Sequence, residues 1–220
     1  LSYPMIKGLH ELGHAYATKV WGGNVHEIGV MLLVFIPVPY VDASASGAFP
    51  ERYKRLVVTS AGIIVELFLA SVAMILWVIL DEGMLRAIAF NVMLVGGVST
   101  LLFNGNPLLR FDGYFILVDL LEMPNLGKRS NQYLGYLYNR YFLGLRNYDN
   151  PVTAPKEEKW LCAYSILAFL YRIFISATIA LFVASKFFLI GVALAALTLR
   201  NVLLLPILGS FWPLLGPRFG

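Results

Sequence analysis

Two histidines near the start of the chain lie four residues apart, and a glutamate directly follows the first of them. They are His10 and His14, and the glutamate is Glu11. On an α-helix this spacing places both imidazoles on one face, about one turn apart, where they could hold a single Zn²⁺ ion. Glu11 could then reach a water molecule at that metal and accept its proton. The spacing therefore predicts a hydrolytic zinc site on a helix.

The residues around this motif decide between a zinc site and an ordinary helix that happens to carry two histidines. A pattern with three fixed positions can occur by chance, so the spacing alone does not settle the matter. The neighbouring residues are largely apolar and include Ile6, Leu9, Leu12, Ala15, Ala17 and Val20. Solvated charges do not belong in such a segment, and an ionisable cluster in an apolar helix is by default a functional hypothesis.

The composition of the chain is that of a membrane protein. Of its 220 residues, 59% are hydrophobic and 14% are charged, and the mean hydropathy is +0.72. Soluble domains are nearer about 45–50% apolar and about 25% charged. The formal net charge of +4 lies between apolar stretches, which suits an anionic membrane surface and not nucleic-acid binding. The single cysteine, Cys162, excludes an internal disulfide framework and is typical of a small buried hydrophobe.

Apolar stretches predict the fold class, an all-α polytopic membrane bundle with about five transmembrane helices and a small membrane-associated β-ribbon. The predicted helices cover residues 1–21, 56–80, 87–103, 160–185 and 187–205. A core at 1–124 carries the motifs, a cytoplasmic basic loop follows at 125–159, and accessory transmembrane helices occupy 160–220. Because the chain opens on Leu1 within an apolar stretch and closes on Gly220 without a polar tail, we expect a fragment of a longer protein.

The predicted ribbon covers residues 24–48, where apolar and β-branched residues alternate before Pro37 and Pro39 interrupt the pattern. A sheet edge cannot face lipid, so this ribbon must lie against protein, a water-filled cleft or an extended peptide. The third histidine, His26, is more typical of a polar strand start than of a metal ligand.

Lysine and arginine residues set the expected orientation. The loops at 51–55 and 124–159 are basic, and the loop at 81–86 is acidic on balance. Basic loops face the cytoplasm, which predicts a multi-pass integral protein of the bacterial cytoplasmic (inner) membrane. His10 and His14 then lie about 10–15 Å below the cytoplasmic end of their helix at 1.5 Å per residue, so the site is expected nearer the cytoplasmic side.

A second polar stretch, which breaks an apolar region at Asn104 to Gly113, allows a resemblance to be stated. The chain resembles the site-2 protease (M50) family of intramembrane zinc metalloproteases. Two motifs in separate apolar segments carry the match: His10-Glu11-x-x-His14 and Asn104-x-x-Pro107-x-x-x-x-Asp112-Gly113. They bracket about half the chain, and residues beyond 124 match only loosely, as further spans.

The resemblance implies a role for each motif residue. His10, His14 and Asp112 would be the zinc ligands, Glu11 the general base that activates a water molecule, and Asn104 a polar support near the substrate. The substrate would be a peptide or a single-pass membrane protein, which the ribbon at 24–48 would receive as an added strand. Taken alone, Asp112-Gly113 is an ordinary turn after a proline-broken helix.

One segment departs from the family pattern. Many members carry Gly-Pro-x-x-Asn in the third segment, and here Ile63 and Glu66 stand at the proline and asparagine positions. The chain is in this respect more similar to a branch of predicted peptide zinc metalloproteases. A substrate-binding role is therefore not carried over to Glu66, the one ionisable residue of the predicted helix 56–80.

Two alternatives stay open. The chain could be a non-proteolytic membrane transport or export partner that retains a zinc site, although a structural site does not need a base beside its ligand. The third zinc ligand could also be a downstream glutamate, for which the candidates are Glu66, Glu122, Glu157 and Glu158. Arg172 and Arg200 lie in the later spans and could snorkel, pair with Glu66 or line a water path.

Overall fold

Helices make up most of the chain, as predicted, and the only sheet within the described part is a two-stranded ribbon. The computed structural model describes residues 2–33, 36–141, 144 and 150–204. The chain divides into two units, residues 1–124 and 125–220. The first unit carries both polar motifs.

A central helix organises the first unit. Its helices are α1 (Ser2–Val20), α2 (Arg52–Ile79), α3 (Met84–Met93), which continues in π-helical turns over Leu94–Asn104, and α4 (Asp112–Leu121). Helix α2 contacts all of the others. Its buried face carries Val58, Gly62, Glu66 and Ala70 at intervals of four residues, the spacing that keeps side chains on one helix face. Small residues on this face allow close helix contact.

Three helices among the described residues are long and apolar enough to cross a membrane, where the sequence predicted about five. They cover Arg52–Ile79, Met84–Asn104 and Glu157–Lys186. The predicted helix 1–21 forms as α1, but it carries Lys7, Glu11 and Lys19 besides its two histidines. The last predicted helix, 187–205, is an α-helix only over Phe188–Thr198, and its end lies outside the described residues.

The predicted ribbon is present within residues 24–48 and is shorter than that range. Strands β1 (Ile28–Leu33) and β2 (Ile36–Val41) pair antiparallel, with Ile28 opposite Val41. The N–H of Asp42 donates to the carbonyl oxygen of Glu27 at 2.9 Å. In an antiparallel ladder hydrogen-bonded and non-hydrogen-bonded pairs alternate, and in the latter the backbone groups point away from the partner strand. Pro37, Pro39 and Val41 belong to non-hydrogen-bonded pairs, so their backbone groups face the outer edge of β2. Proline is tolerated at an edge because the sheet needs no N–H there.

The second unit contains a helix in the segment 125–159, which the sequence analysis treated as a basic loop. Helix α5 covers Leu126–Tyr141 and contacts α6 (Glu157–Lys186), which is followed by α7 (Phe188–Thr198) and a π-helical segment, Leu199–Leu204. The buried face of α5 carries one aliphatic residue among small, polar and aromatic ones: Leu126, Gly127, Ser130, Tyr133, Tyr136 and Asn139. A hydropathy pattern therefore gives little sign of this helix.

Candidate metal centre

Helices α1 and α4 bring three donor atoms together. The Nε2 atoms of His10 and His14 lie 3.1 Å apart, and Asp112 Oδ2 lies 3.0 Å from the first and 3.6 Å from the second. Ligands that hold Zn²⁺ tetrahedrally at about 2.0–2.1 Å lie about 3.3 Å from one another. The triangle of donor atoms therefore has the size that a zinc ion requires, with a fourth direction left open.

The Nδ1 atom of each imidazole lies beside an acceptor oxygen, through a hydrogen bond in His14 and an ion-pair contact in His10. The Nδ1 of His14 lies 2.7 Å from the carbonyl oxygen of Val58, which can only accept. The Nδ1 of His10 lies 3.1 Å from Glu66 Oε1. With protons on both Nδ1 atoms, both Nε2 atoms present lone pairs, the state in which histidine binds metal.

The third donor, Asp112 Oδ2, is buried and makes no hydrogen bond to a described residue. It faces the two Nε2 lone pairs, so three electron-rich atoms converge on one point. Buried carboxylate oxygens without a donor are costly unless a cation is present. His10, His14 and Asp112 therefore fit a divalent metal ion.

Close approach of α1 and α2 at Gly62 makes room for the two imidazoles. A Cβ atom at this position would lie 2.5 Å from the Nε2 atoms of His10 and His14. Any side chain at residue 62 would therefore occupy the space of the histidine donors. The sequence analysis gave Gly62 no role, because nothing in a single sequence tells which residue of α2 meets α1.

Replacing Gly62 by alanine is expected to weaken zinc binding about 5- to 150-fold, the equivalent of the 1–3 kcal/mol that overpacking typically costs. The measurement is the zinc dissociation constant of the purified protein in competition with a chelator. Gly8→Ala is the matched control, because Gly8 lies on α1 close to His10 and a Cβ there would contact nothing within 4 Å. Equal affinity in both variants would mean that Gly62 does not set the space for the metal.

Asp112 reaches the site because the chain folds back sharply before α4. The N–H of Gly105 donates to Thr100 at 2.7 Å, and the side chain of Asn106 accepts the N–H of Leu108 at 2.9 Å. A Cβ at Gly113 would lie 2.5 Å from the backbone of Gly105, so only glycine permits this contact. Asp112 is the first residue of α4, where the helix dipole favours a carboxylate.

Asn104, predicted as a polar support near the substrate, contacts a different residue of the site. Its side-chain amide donates to Glu66 Oε2 at 3.1 Å. Glu66 is fully buried and lies against Nδ1 of His10; from the sequence it was considered as a candidate ligand but not as a neighbour of this nitrogen. The signal that could have found it is an ionisable residue in an otherwise uncharged span.

The alternative ligands do not join the group of donors. Among the described residues, the group of three that could hold a metal contains His10, His14 and Asp112, and none of the glutamates considered above. His26 is exposed and lies 3.8 Å from Asp42, whose pKa is held below its ordinary value by hydrogen bonds from Ser44. Glu66 forms an ion pair with Lys7 at 2.6 Å.

Glu11 lies beside the first ligand and faces the ribbon. Its Oε2 accepts the N–H of Val41 at 3.1 Å. It also lines an open, largely apolar cleft of about 470 Å³ between α1 and the ribbon, whose walls include Leu12, Val30 and Pro39. The candidate base therefore stands where a molecule in the cleft would meet the metal centre.

The chain thus combines helices able to cross a membrane with a His₂–Asp group, of which His10 is buried, able to hold a metal ion. Over 128 residues it is 30% identical to the "Putative peptide zinc metalloprotease protein YydH" of Bacillus subtilis (strain 168). The match covers 57% of this chain and 49% of that protein, so the chain spans about half the length of this relative. No protein-family model and no solved structure matches the chain.

Proposed function

We propose that this chain is the catalytic part of an intramembrane zinc metalloendopeptidase of the site-2 protease type. The observation that carries the proposal is the triangle of donor atoms from His10, His14 and Asp112, with Glu11 directly beside it. The similarity to a protein named as a zinc metalloprotease supports the same class. The motif resemblance extends the proposal from a metalloprotease to the intramembrane type.

In the proposed reaction the residues of the chain have separate roles. His10, His14 and Asp112 hold the metal, which when bound supplies a Lewis acid for the scissile carbonyl and lowers the pKa of a water molecule. Glu11 accepts the proton of the attacking water and passes it to the leaving amine. The Val58 carbonyl keeps the imidazole of His14 in the tautomer that binds metal.

The proposed substrate is an extended peptide or a segment of a single-pass membrane protein, bound in the cleft beside Glu11. The backbone groups along the outer edge of β2 support the binding of an extended peptide. Pro37 and Pro39 have no N–H, and the N–H of Val41 is bonded to Glu11, so this described edge points carbonyl groups outward. A peptide strand along it would donate its own N–H groups to the carbonyl oxygens of the two prolines.

The proposed location is the bacterial cytoplasmic membrane, with several spans and the metal centre nearer the cytoplasmic side. Three candidate spans and a relative from a bacterium support the location. The orientation is supported by the basic start of α2, which carries Arg52, Lys54 and Arg55, since basic ends of spans face the cytoplasm.

The test uses the purified chain in lipid nanodiscs, loaded with zinc. Two probes are offered: a peptide library made by digestion of a proteome, and a reporter with a single apolar helix of about 20 residues. Mass spectrometry then detects new peptide termini. We expect zinc-dependent cleavage that a chelator abolishes and added zinc restores, with His26→Gln, which changes an exposed histidine outside the donor group, behaving as the unmodified chain.

Zinc binding without new termini from either probe would contradict the proposal. That outcome would favour the alternative of a transport or export partner that retains a metal site. A chain that binds no zinc would contradict both the proposed protease function and the alternative of a partner with a metal site.

A further inference from the structure

Glu66 is a fully buried carboxylate with four polar neighbours and no role in the chemistry described so far. It lies on α2, between α1 and the π-helical continuation of α3. A buried charge is retained only where paired groups compensate its desolvation. Each of the two carboxylate oxygens of Glu66 contacts a different segment of the chain, and these contacts indicate its role.

One carboxylate oxygen of Glu66 contacts α1, the helix that carries His10 and His14. Oε1 accepts a hydrogen bond from Lys7 Nζ at 2.6 Å and lies 3.1 Å from His10 Nδ1. Lys7 and His10 are three residues apart on α1, so both face α2 at the same point. Lys7 is 15% exposed at its side chain and supplies the positive charge that lets an ionised carboxylate remain buried beside the histidine.

The other carboxylate oxygen contacts the π-helical segment Leu94–Asn104, which precedes α4 and Asp112. Oε2 accepts one hydrogen bond from the hydroxyl group of Thr100 and another from the side-chain amide of Asn104 at 3.1 Å. Both donors lie at the end of the π-helical turns, directly before the fold-back that carries Asp112 to the site. The carboxylate thus joins α1, which carries two of the metal donors, to the segment that precedes α4, which carries the third.

We propose that Glu66 is a positioning residue of the metal centre, which holds His10 in the orientation and tautomer that present Nε2 to the metal and ties the Asn104 segment to the same point. The proposal rests on the proposed function, because it assigns Glu66 to that metal site. Glu66 itself is not a ligand: it faces Nδ1 of His10, and the other donors face Nε2.

The length of the side chain and its charge can be tested separately. Glu66→Asp keeps the charge for Lys7 but withdraws the oxygens from His10 by one methylene. Glu66→Gln keeps the reach of an acceptor oxygen towards His10 Nδ1 but removes the charge. Positioning depends on reach, whereas simple neutralisation of Lys7 depends on charge, so the two roles predict opposite orders for the variants.

The experiment measures the zinc dissociation constant and the visible absorption spectrum of the Co²⁺-substituted protein in nanodiscs. We expect Glu66→Asp to weaken zinc binding about 10- to 100-fold, as loss of a partner behind a metal-binding histidine does, and to shift the Co²⁺ spectrum. Glu66→Gln is expected to lose less than about 10-fold. The control is Asp119→Asn, which removes an ion pair of α4 with Arg55 at 3.2 Å and is expected to leave zinc affinity unchanged.

The opposite order of the two variants, or equal affinity in both and in the unmodified chain, would overturn the proposal. Loss of folding in either variant, judged by its Tm against that of Asp119→Asn, would assign Glu66 to the fold and overturn it too. An unmodified chain that binds no zinc would instead contradict the proposed function, so the two failures are distinguishable.

Discussion

Replacing Glu11 by glutamine is expected to lower peptide-bond hydrolysis about 10²- to 10⁴-fold, the usual contribution of a general base, while zinc binding stays intact. Glu11 is not one of the three donors that converge on the proposed metal position. The amide oxygen of glutamine can still accept the N–H of Val41, so the contact with the ribbon is preserved. The measurements are the rate of appearance of new peptide termini and the zinc content of the same preparation.

Glu82→Gln is the matched control for this variant, because Glu82 is an exposed carboxylate in the turn between α2 and α3 and should leave both measurements unchanged. Full activity in Glu11→Gln would mean that the base is another group. Loss of zinc together with activity would mean that Glu11 supports the metal rather than the water molecule.

Replacing Asp112 by alanine is expected to weaken zinc binding by more than about 100-fold, since loss of a partner behind a ligand already costs up to that much. The substitution removes one of three donors, and the two imidazoles that remain cannot complete a catalytic zinc site. Competition with a chelator measures the affinity. Asp119→Asn on the same helix is again the control, because Asp119 pairs with Arg55 away from the donors.

Zinc bound to Asp112→Ala with the affinity of the unmodified chain would contradict the assignment of the third ligand. The third ligand would then have to be one of the glutamates considered above, among which Glu66 lies against His10.

The spacing of His10 and His14 was enough to predict their common helix face, because that relation depends only on the helix repeat. The meeting with Asp112 was predicted from the family motif and from a shared depth in the membrane, and the structure brings the carboxylate within 3.0 Å of His10. Residues close in the chain, or matched by a motif, were therefore accessible to sequence reasoning.

The roles of Gly62 and Glu66 were not accessible in that way. Both depend on which residues of α2 face α1, and a helix pattern alone does not state which partner a buried face will meet. Helix α5 was not predicted for another reason: its buried face mixes Leu, Gly, Ser, Tyr and Asn, which gives only a weak apolar pattern. Three of the five predicted spans are found among the described residues, and α1 forms as a helix that carries two lysines and a glutamate.

The assignment of one zinc ion to His10, His14 and Asp112 is tested most directly by X-ray absorption at the zinc edge of the metal-loaded chain in nanodiscs. The account predicts a first shell of nitrogen and oxygen atoms at about 2.0–2.2 Å, with the outer-shell scattering of two imidazoles. A chain that takes up no zinc, or a shell that contains sulfur or lacks the pair of imidazoles, would contradict it.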